Sequence, residues 1–203
     1  MLDPPRQSLL DLLTTDVLQA APALLGWDLV RGTRRARIVE TEAYAQDDPA
    51  CHAFRGMTKR NAVLFGHPGN AYVYFTYGCH WMLNVAAHEH GIAAAVLIRA
   101  AEPLEGLDEM RIHRPGVKDA ELLNGPGKLA KAFGITGEDN GVWLLGGREA
   151  SGVEREELLL EPGIDVERIV TGPRIGITLG TELPWRYMDA DHLKWVSRPR
   201  PKA

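Results

Sequence analysis

The chain has little of what marks a specialised class of protein. Two cysteines, Cys51 and Cys79, in 203 residues cannot build a disulfide framework. The longest uninterrupted aliphatic run is seven residues, Ile92 to Ile98, where a membrane span needs about 20. The start, Met1-Leu2-Asp3-Pro4-Pro5, has no basic region followed by an apolar stretch, so no secretory leader is expected. The expected location is the cytoplasm, with nucleoid association in a bacterium. No internal repeat and no low-complexity tract occurs. His and Cys fall as Cys51-His52, Cys79-His80 and His88-Glu89-His90, without the Cys-x2–4-Cys or His-x3–5-His spacing of zinc sites. Gly-x-Ser-x-Gly and the dinucleotide fingerprint are absent. Gly127-Lys128-Leu129 lacks the upstream glycine and the Ser/Thr of a phosphate loop. No metal and no cofactor are expected.

What is present is an ordinary globular composition, 45% hydrophobic and 25% charged, which excludes wholesale disorder and suits one domain over residues 1–203. Basic residues number 23 and acidic residues 27, a net charge of −4. That average disfavours nucleic-acid binding, which draws on Lys and Arg. The distribution does not. Residues 31–37 hold four arginines, Arg31, Arg34, Arg35 and Arg37, and no acid. Arg55, Lys59 and Arg60 follow, and the tail carries Lys194, Arg198, Arg200 and Lys202. Residues 154–167 hold six acids and one base. A basic face with an acidic back fits this pattern, and so does a mixed solvated surface.

Periodicity predicts helix over 7–25, with Thr15 or Asp16 capping a second helix broken near Pro22. Strands are predicted over Trp27–Val30 and Arg34–Tyr44 about a turn at Gly32, then over Ala71–Thr76, Trp81–Ala87 and Ala93–Ala100. Short helices follow at 104–113 and 127–133, then strands at Val142–Leu145, Leu158–Glu161 and Arg174–Leu179. Consecutive hairpins with few helices make an α+β class.

Three segments hold candidate chemistry. In Ile38-Val39-Glu40-Thr41-Glu42-Ala43-Tyr44, strand alternation sets Ile38, Glu40, Glu42 and Tyr44 on one face. Two carboxylates and a phenol there form either a solvent face or a buried site that must be hydrogen-bonded or used. In Tyr72-Val73-Tyr74-Phe75-Thr76-Tyr77-Gly78, Tyr77 sits at the tip of a hairpin. It either packs on a neighbouring loop or enters something, such as a base stack. Asn84, in an apolar strand, is either a satisfied core amide or a reader of a ligand's hydrogen-bonding edge.

Together these residues resemble the 3-methyladenine (alkyladenine) DNA glycosylase family. The matching blocks are Arg37 to Tyr44, Thr58-Lys59-Arg60-Asn61, Tyr72-Val73-Tyr74 with Tyr77-Gly78, Asn84, Leu97-Ile98-Arg99-Ala100 with Glu102-Pro103-Leu104, and Asn124 to Leu129. The likeness runs from about residue 18 onward and is dense between 37 and 106. It implies a curved, mainly antiparallel sheet or partial barrel flanked by helices, a fold shared with a formyltransferase domain that helps bind transfer RNA. It implies a monofunctional, monomeric enzyme that flips alkylated or deaminated purines from double-stranded DNA and hydrolyses the N-glycosidic bond. By resemblance Glu42 is the general base, and Arg99 lies near the water and the backbone. Tyr44, His52 and Tyr74 wall the base pocket, Asn84 obstructs guanine's exocyclic amine, and Tyr77 is the minor-groove wedge. The loop from Tyr44 to His52 is one residue shorter than the family pattern, and the residues after Tyr77 differ.

The chemistry agrees with these roles. Cleavage builds positive charge on the sugar, which a carboxylate stabilises. No lysine except Lys59 falls in the pocket segments, so hydrolysis without a Schiff-base lyase step is expected. Stacking tyrosines attract cationic alkylpurines at about 0.5–2 kcal/mol per contact. Arg34, Arg35, Lys59, Arg60, Arg198 and Arg200 are the candidate phosphate contacts. A nucleic-acid binding module without chemistry and a metallohydrolase using His80, His88 and His90 are the competing readings.

Overall fold

The strand carrying Glu40 and Glu42 is also the one around which the sheet is organised. The structure is a computed structural model that describes residues 2–76, 78–146 and 156–199. Along the chain run α1 (Pro4–Thr15), α2 (Val17–Ala23), β1 (Asp28–Arg31), β2 (Arg34–Tyr44), β3 (Ala71–Thr76), β4 (His80–Ala87), β5 (Ala94–Glu105), α3 (Leu107–His113), α4 (Asp119–Leu122), α5 (Pro126–Phe133), β6 (Leu159–Glu161), β7 (Ile169–Gly172) and β8 (Arg186–Asp189). The sheet order is β3-β4-β5-β2-β1-β6, and β7 joins through β8, which pairs with β2. Every ladder is antiparallel, and the sheet curls into a half-barrel, an α+β architecture. No helix among the described residues is long and apolar enough to cross a membrane.

β2 is long because it serves two neighbours on one side. Its first half pairs with β1, from Arg31↔Arg34 to Asp28↔Arg37. Its second half pairs with β8 from Glu40 to Glu42, and β5 runs along its other edge. Register shifts fall between Ile38 and Glu40 and between Glu40 and Thr41, and such bulges reverse which face later residues occupy. This corrects the expected alternation. Ile38 packs in the main core with Ala36 and Ala43, while Glu40, Glu42 and Tyr44 face the other way. Thr41, on the core side, donates its hydroxyl to the Ala21 carbonyl of α2 at 2.7 Å.

Local signals set the helix ends. The Asp3 side chain accepts from Arg6 N–H, and Pro4 and Pro5 occupy the first turn of α1, where a missing N–H costs nothing. Asp16, not Thr15, caps α2 through Leu18 N–H at 2.8 Å, and Pro22 lies inside α2 rather than ending it. The helix expected from residue 104 begins at Leu107, because β5 extends to Glu105 and Gly106 turns the chain at φ +69°. Leu13, Leu24, Leu29, Leu83, Ile98 and Phe133 are fully buried between helices and sheet. Each such side chain contributes about 1.5–3 kcal/mol by leaving water.

Two predicted strands are absent. Residues 142–145 make a single bridge, Asn70↔Trp143, and residues 174–179 form a loop in which Gly176 has φ +80°. The strands that sequence analysis missed, β7 and β8, flank that loop.

Candidate active site

The loop at 174–179 and the concave face of the sheet enclose a cleft of about 400 Å³. Tyr72, Tyr74, Asn84, Leu97, Arg99 and Tyr44 line it from the strands. Cys51 and His52 close one side, and Ile175 to Leu179 the other.

Strand pairing accounts for the aromatic wall. Tyr72 and Tyr74 are two apart on β3 and share a face, with ring centroids 5.4 Å apart. His52 comes from the irregular segment before β3. Its ring centroid lies 4.4 Å from that of Tyr74 at an interplanar angle of 69°, and its Nδ1 is 3.0 Å from the Tyr72 hydroxyl. Buried Asn61 fixes that segment. Its Nδ2 donates to the carbonyls of His52 and Gly56, and its Oδ1 accepts from Thr58 N–H and hydroxyl. Desolvation, and then the Arg60 charge, lower the His52 pKa below its usual 6.5, so the ring is neutral at pH 7.

Glu42 lies directly behind this wall. It has no exposed surface, although Tyr44, Arg99 and Ile175 around it line the cleft. Its Oε2 accepts from the Tyr44 hydroxyl at 2.7 Å and from Arg99 at 3.2 Å. Its Oε1 accepts from Ile175 N–H at 2.8 Å. Burial raises the pKa of the Tyr44 phenol far above its usual range, and the neighbouring Glu42 charge raises it further, so that group stays a neutral donor. Burial opposes the charge on Arg99, but the Glu42 and Glu40 carboxylates outweigh it and raise the arginine's pKa. Glu40, equally buried, accepts from Arg186 Nε at 2.6 Å, from Ser197 N–H at 2.6 Å and from the Ser197 hydroxyl at 2.7 Å. The solvent-face reading of the two carboxylates is therefore excluded.

The whole-chain comparisons agree with this geometry. The family model for methylpurine-DNA glycosylase matches residues 11–193. The chain belongs to the methylpurine-DNA glycosylase family. A relative from Chlorobaculum parvum is 51% identical over 177 residues, covering 83% of this chain and 80% of the relative. One from Burkholderia lata is 47% identical, covering 93% and 88%. One from Carboxydothermus hydrogenoformans is 47% identical, covering 90% and 94%. All three bear the provisional name 3-methyladenine DNA glycosylase.

In this member of the methylpurine-DNA glycosylase family the cleft gathers six of the expected residues: Glu42 behind the wall, and Arg99, Tyr44, His52, Tyr74 and Asn84 on it. Asn84 is buried, and its Nδ2 donates to the Tyr72 carbonyl at 3.1 Å. Tyr77 and Arg200 lie outside the described residues. Lys59, Arg60 and Arg198 are exposed. Arg60 donates to the Phe75 carbonyl at 3.1 Å and lies 5.4 Å over the Tyr74 ring, which keeps it beside the cleft. Arg198 follows Ser197, whose hydroxyl accepts from Arg99 Nε at 3.3 Å.

Arg34 and Arg35, expected as phosphate contacts, are placed away from the cleft and in ion pairs. They begin β2, eight and seven residues from Glu42, roughly 25 Å along the strand. Arg34 is buried and ion-paired with Glu109 and Glu156. Arg35 pairs with Asp28, Glu105 and Glu161. The acidic run meets the basic run because β1 lies between β2 and β6. No group of three His, Cys, Asp or Glu side chains among the described residues is placed to hold a metal ion.

Sequence reasoning missed Tyr72, Asn61 and the 174–179 loop. That loop is anchored by Arg174, whose guanidinium is fully buried. It is bidentate to Asp48, donates to the Ala43 carbonyl at 2.8 Å, and lies 4.6 Å over the Tyr44 ring and 5.1 Å over that of Trp185. The only sequence signal was an arginine beside a Gly-containing turn, Arg174-Ile175-Gly176.

Proposed function

We propose that this DNA glycosylase extrudes damaged purines, alkylated or deaminated, from double-stranded DNA into the aromatic cleft and hydrolyses the N-glycosidic bond with a water activated by Glu42. The observation that carries the reading is the set of donors on the Glu42 carboxylate. A carboxylate oxygen offers two lone-pair sites. On Oε2 both are used, by Tyr44 and Arg99, and on Oε1 one is used, by Ile175. Oε1 keeps one acceptor site for a water proton.

The C1′–N bond breaks with its electron pair leaving on the base, and positive charge develops on the sugar. Glu42 stabilises that charge and takes a proton as water adds to C1′. A cationic alkylpurine departs neutral. Hypoxanthine or 1,N6-ethenoadenine must be protonated as it leaves, and neutral His52 beside Tyr74 is not pre-charged for that step. Because Glu42 has no exposed surface, binding of the nucleotide must shift Tyr44 or the Ile175 loop enough to admit one water. The neutral aromatic walls stack on either class of base and add cation–π attraction for the cationic one. No lysine lines the cleft among the described residues, which supports hydrolysis without a lyase step. The wedge role of Tyr77 rests on the family resemblance, as does action as a monomer.

The test is a panel of duplex oligonucleotides carrying 3-methyladenine, 7-methylguanine, hypoxanthine or 1,N6-ethenoadenine. Base release with strand breakage only after alkali is expected. Breakage without alkali, or binding without release of any base, contradicts the proposal.

A further inference from the structure

Glu42 shares its arginine. Arg99 sends one terminal nitrogen to Glu42 at 3.2 Å, while its Nε edge faces Ser197 Oγ and Glu40 Oε1, both at 3.3 Å. Glu40 is held in turn from two directions. Arg186 on β8 donates from Nε at 2.6 Å, and Ser197 donates from backbone and hydroxyl at 2.6 and 2.7 Å. The remaining nitrogens of Arg186 bind the carbonyls of Ser197 at 3.1 Å and Pro199 at 3.0 Å. Glu40, Arg99, Arg186 and Ser197 are all at most 6% exposed, as is Glu42 at 0%. With two carboxylates and two guanidiniums the cluster is formally neutral, which makes its burial tolerable.

The arrangement has a consequence for the base. A guanidinium facing one carboxylate prefers a two-pronged pair. That geometry on Glu42 would put a second donor on Oε1 beside Ile175 N–H and leave no acceptor site for a water proton. Glu40 and Ser197 hold the Nε edge away, so Arg99 reaches Glu42 through a single nitrogen. We propose that Glu40 and Ser197 are positioning residues for the glycosylase reaction, which clamp Arg99 edge-on so that Glu42 Oε1 keeps one acceptor site for water, and that the segment ending at Pro199 is thereby part of the active site. The inference rests on Glu42 as the base.

The charged and titratable groups around Glu42 are Tyr44 and Glu40 on its own strand, Arg99 on β5, and Arg174 before the cleft loop. Arg186 acts on it through Glu40.

The experiment is single-turnover base release from a duplex carrying one 7-methylguanine, over a range of enzyme concentration, for wild type, Ser197→Ala, Glu40→Gln and Glu42→Gln. Ser197→Ala removes only a hydroxyl and keeps the backbone contact, so it carries the test if Glu40→Gln does not fold. The expected result is a drop in the maximal rate of about tenfold for Ser197→Ala and about 100-fold for Glu40→Gln, as for a misplaced catalytic group. The half-saturating enzyme concentration should stay within about twofold, as a role in positioning rather than in DNA binding requires. Unchanged maximal rate in Ser197→Ala and Glu40→Gln, or a loss that falls on the half-saturating concentration instead, with Glu42→Gln inactive, overturns the positioning role alone. An active Glu42→Gln overturns the base assignment beneath it.

Discussion

At the residue scale, identical side chains on one strand differ by their donors. Glu40 is enclosed by Arg186, Ser197 and Arg99, whereas Glu42 retains an acceptor site beside the cleft. Their proximity was legible from strand spacing, but their partners were not, because Ser197 is 157 residues from Glu40 in sequence. His52 supplies a pH test. Its pKa lies below 6.5 because its surroundings disfavour the charged ring. Only as pH falls through that lowered value does a cation appear against a base that is itself cationic. The release rate for 7-methylguanine should then show a component lost below about pH 6.5 that His52→Gln lacks. Parallel profiles for the two proteins would remove His52 from that effect. Asn84 is held by the Tyr72 carbonyl on the cleft wall. Asn84→Ser should release normal guanine measurably where wild type does not, and unchanged selectivity would return it to a structural amide.

At the scale of elements, the hairpins were readable and the loops were not. β1, β2, β3 and β4 carry alternating or β-rich sequence bounded by glycine turns, and the predicted ends lie within a residue or so of those in the structure. β7 and β8 are four residues each, too short to establish a period, and β8 is stabilised by pairing with Glu40–Glu42 of β2. The loop before β8 holds its shape through Arg174 and Asp48, a long-range contact that no local pattern signals. Arg174→Met should therefore destabilise the fold by about 3–5 kcal/mol, because it strands a buried carboxylate. The double variant Arg174→Met/Asp48→Asn should recover part of that loss in urea unfolding. A single variant costing less than about 1 kcal/mol would mean that the pair does not anchor the loop.

At the scale of the molecule, charge resolves into two parts. Arg34 and Arg35 pair with Glu156 and Glu161 across β1 and β6, Arg31 with Asp139 and Arg37 with Glu102, so net charge misjudges the free cations, and sequence runs misjudge them too. Binding of undamaged duplex should weaken with salt. Arg60→Ala should flatten that dependence by about one unit of log–log slope, and Arg35→Ala should leave it unchanged. Equal slopes for wild type and Arg60→Ala would remove Arg60 from the interface. Stability should fall at alkaline pH. Burial pushes the Tyr72 phenol up to about 12 and the Tyr44 phenol further, against about 10 in the unfolded chain. The protonated phenols favour the fold fully below pH 10, and that contribution is lost as pH rises toward 12. Tyr72→Phe should lose less stability than wild type between those values. The account as a whole turns on Glu42, and the most direct measurement is base release by Glu42→Gln at an enzyme concentration where lesion duplex is fully bound. The account predicts binding within a few-fold of wild type and release slowed about 1,000-fold or more. Release at near wild-type rate from the fully bound variant would contradict it.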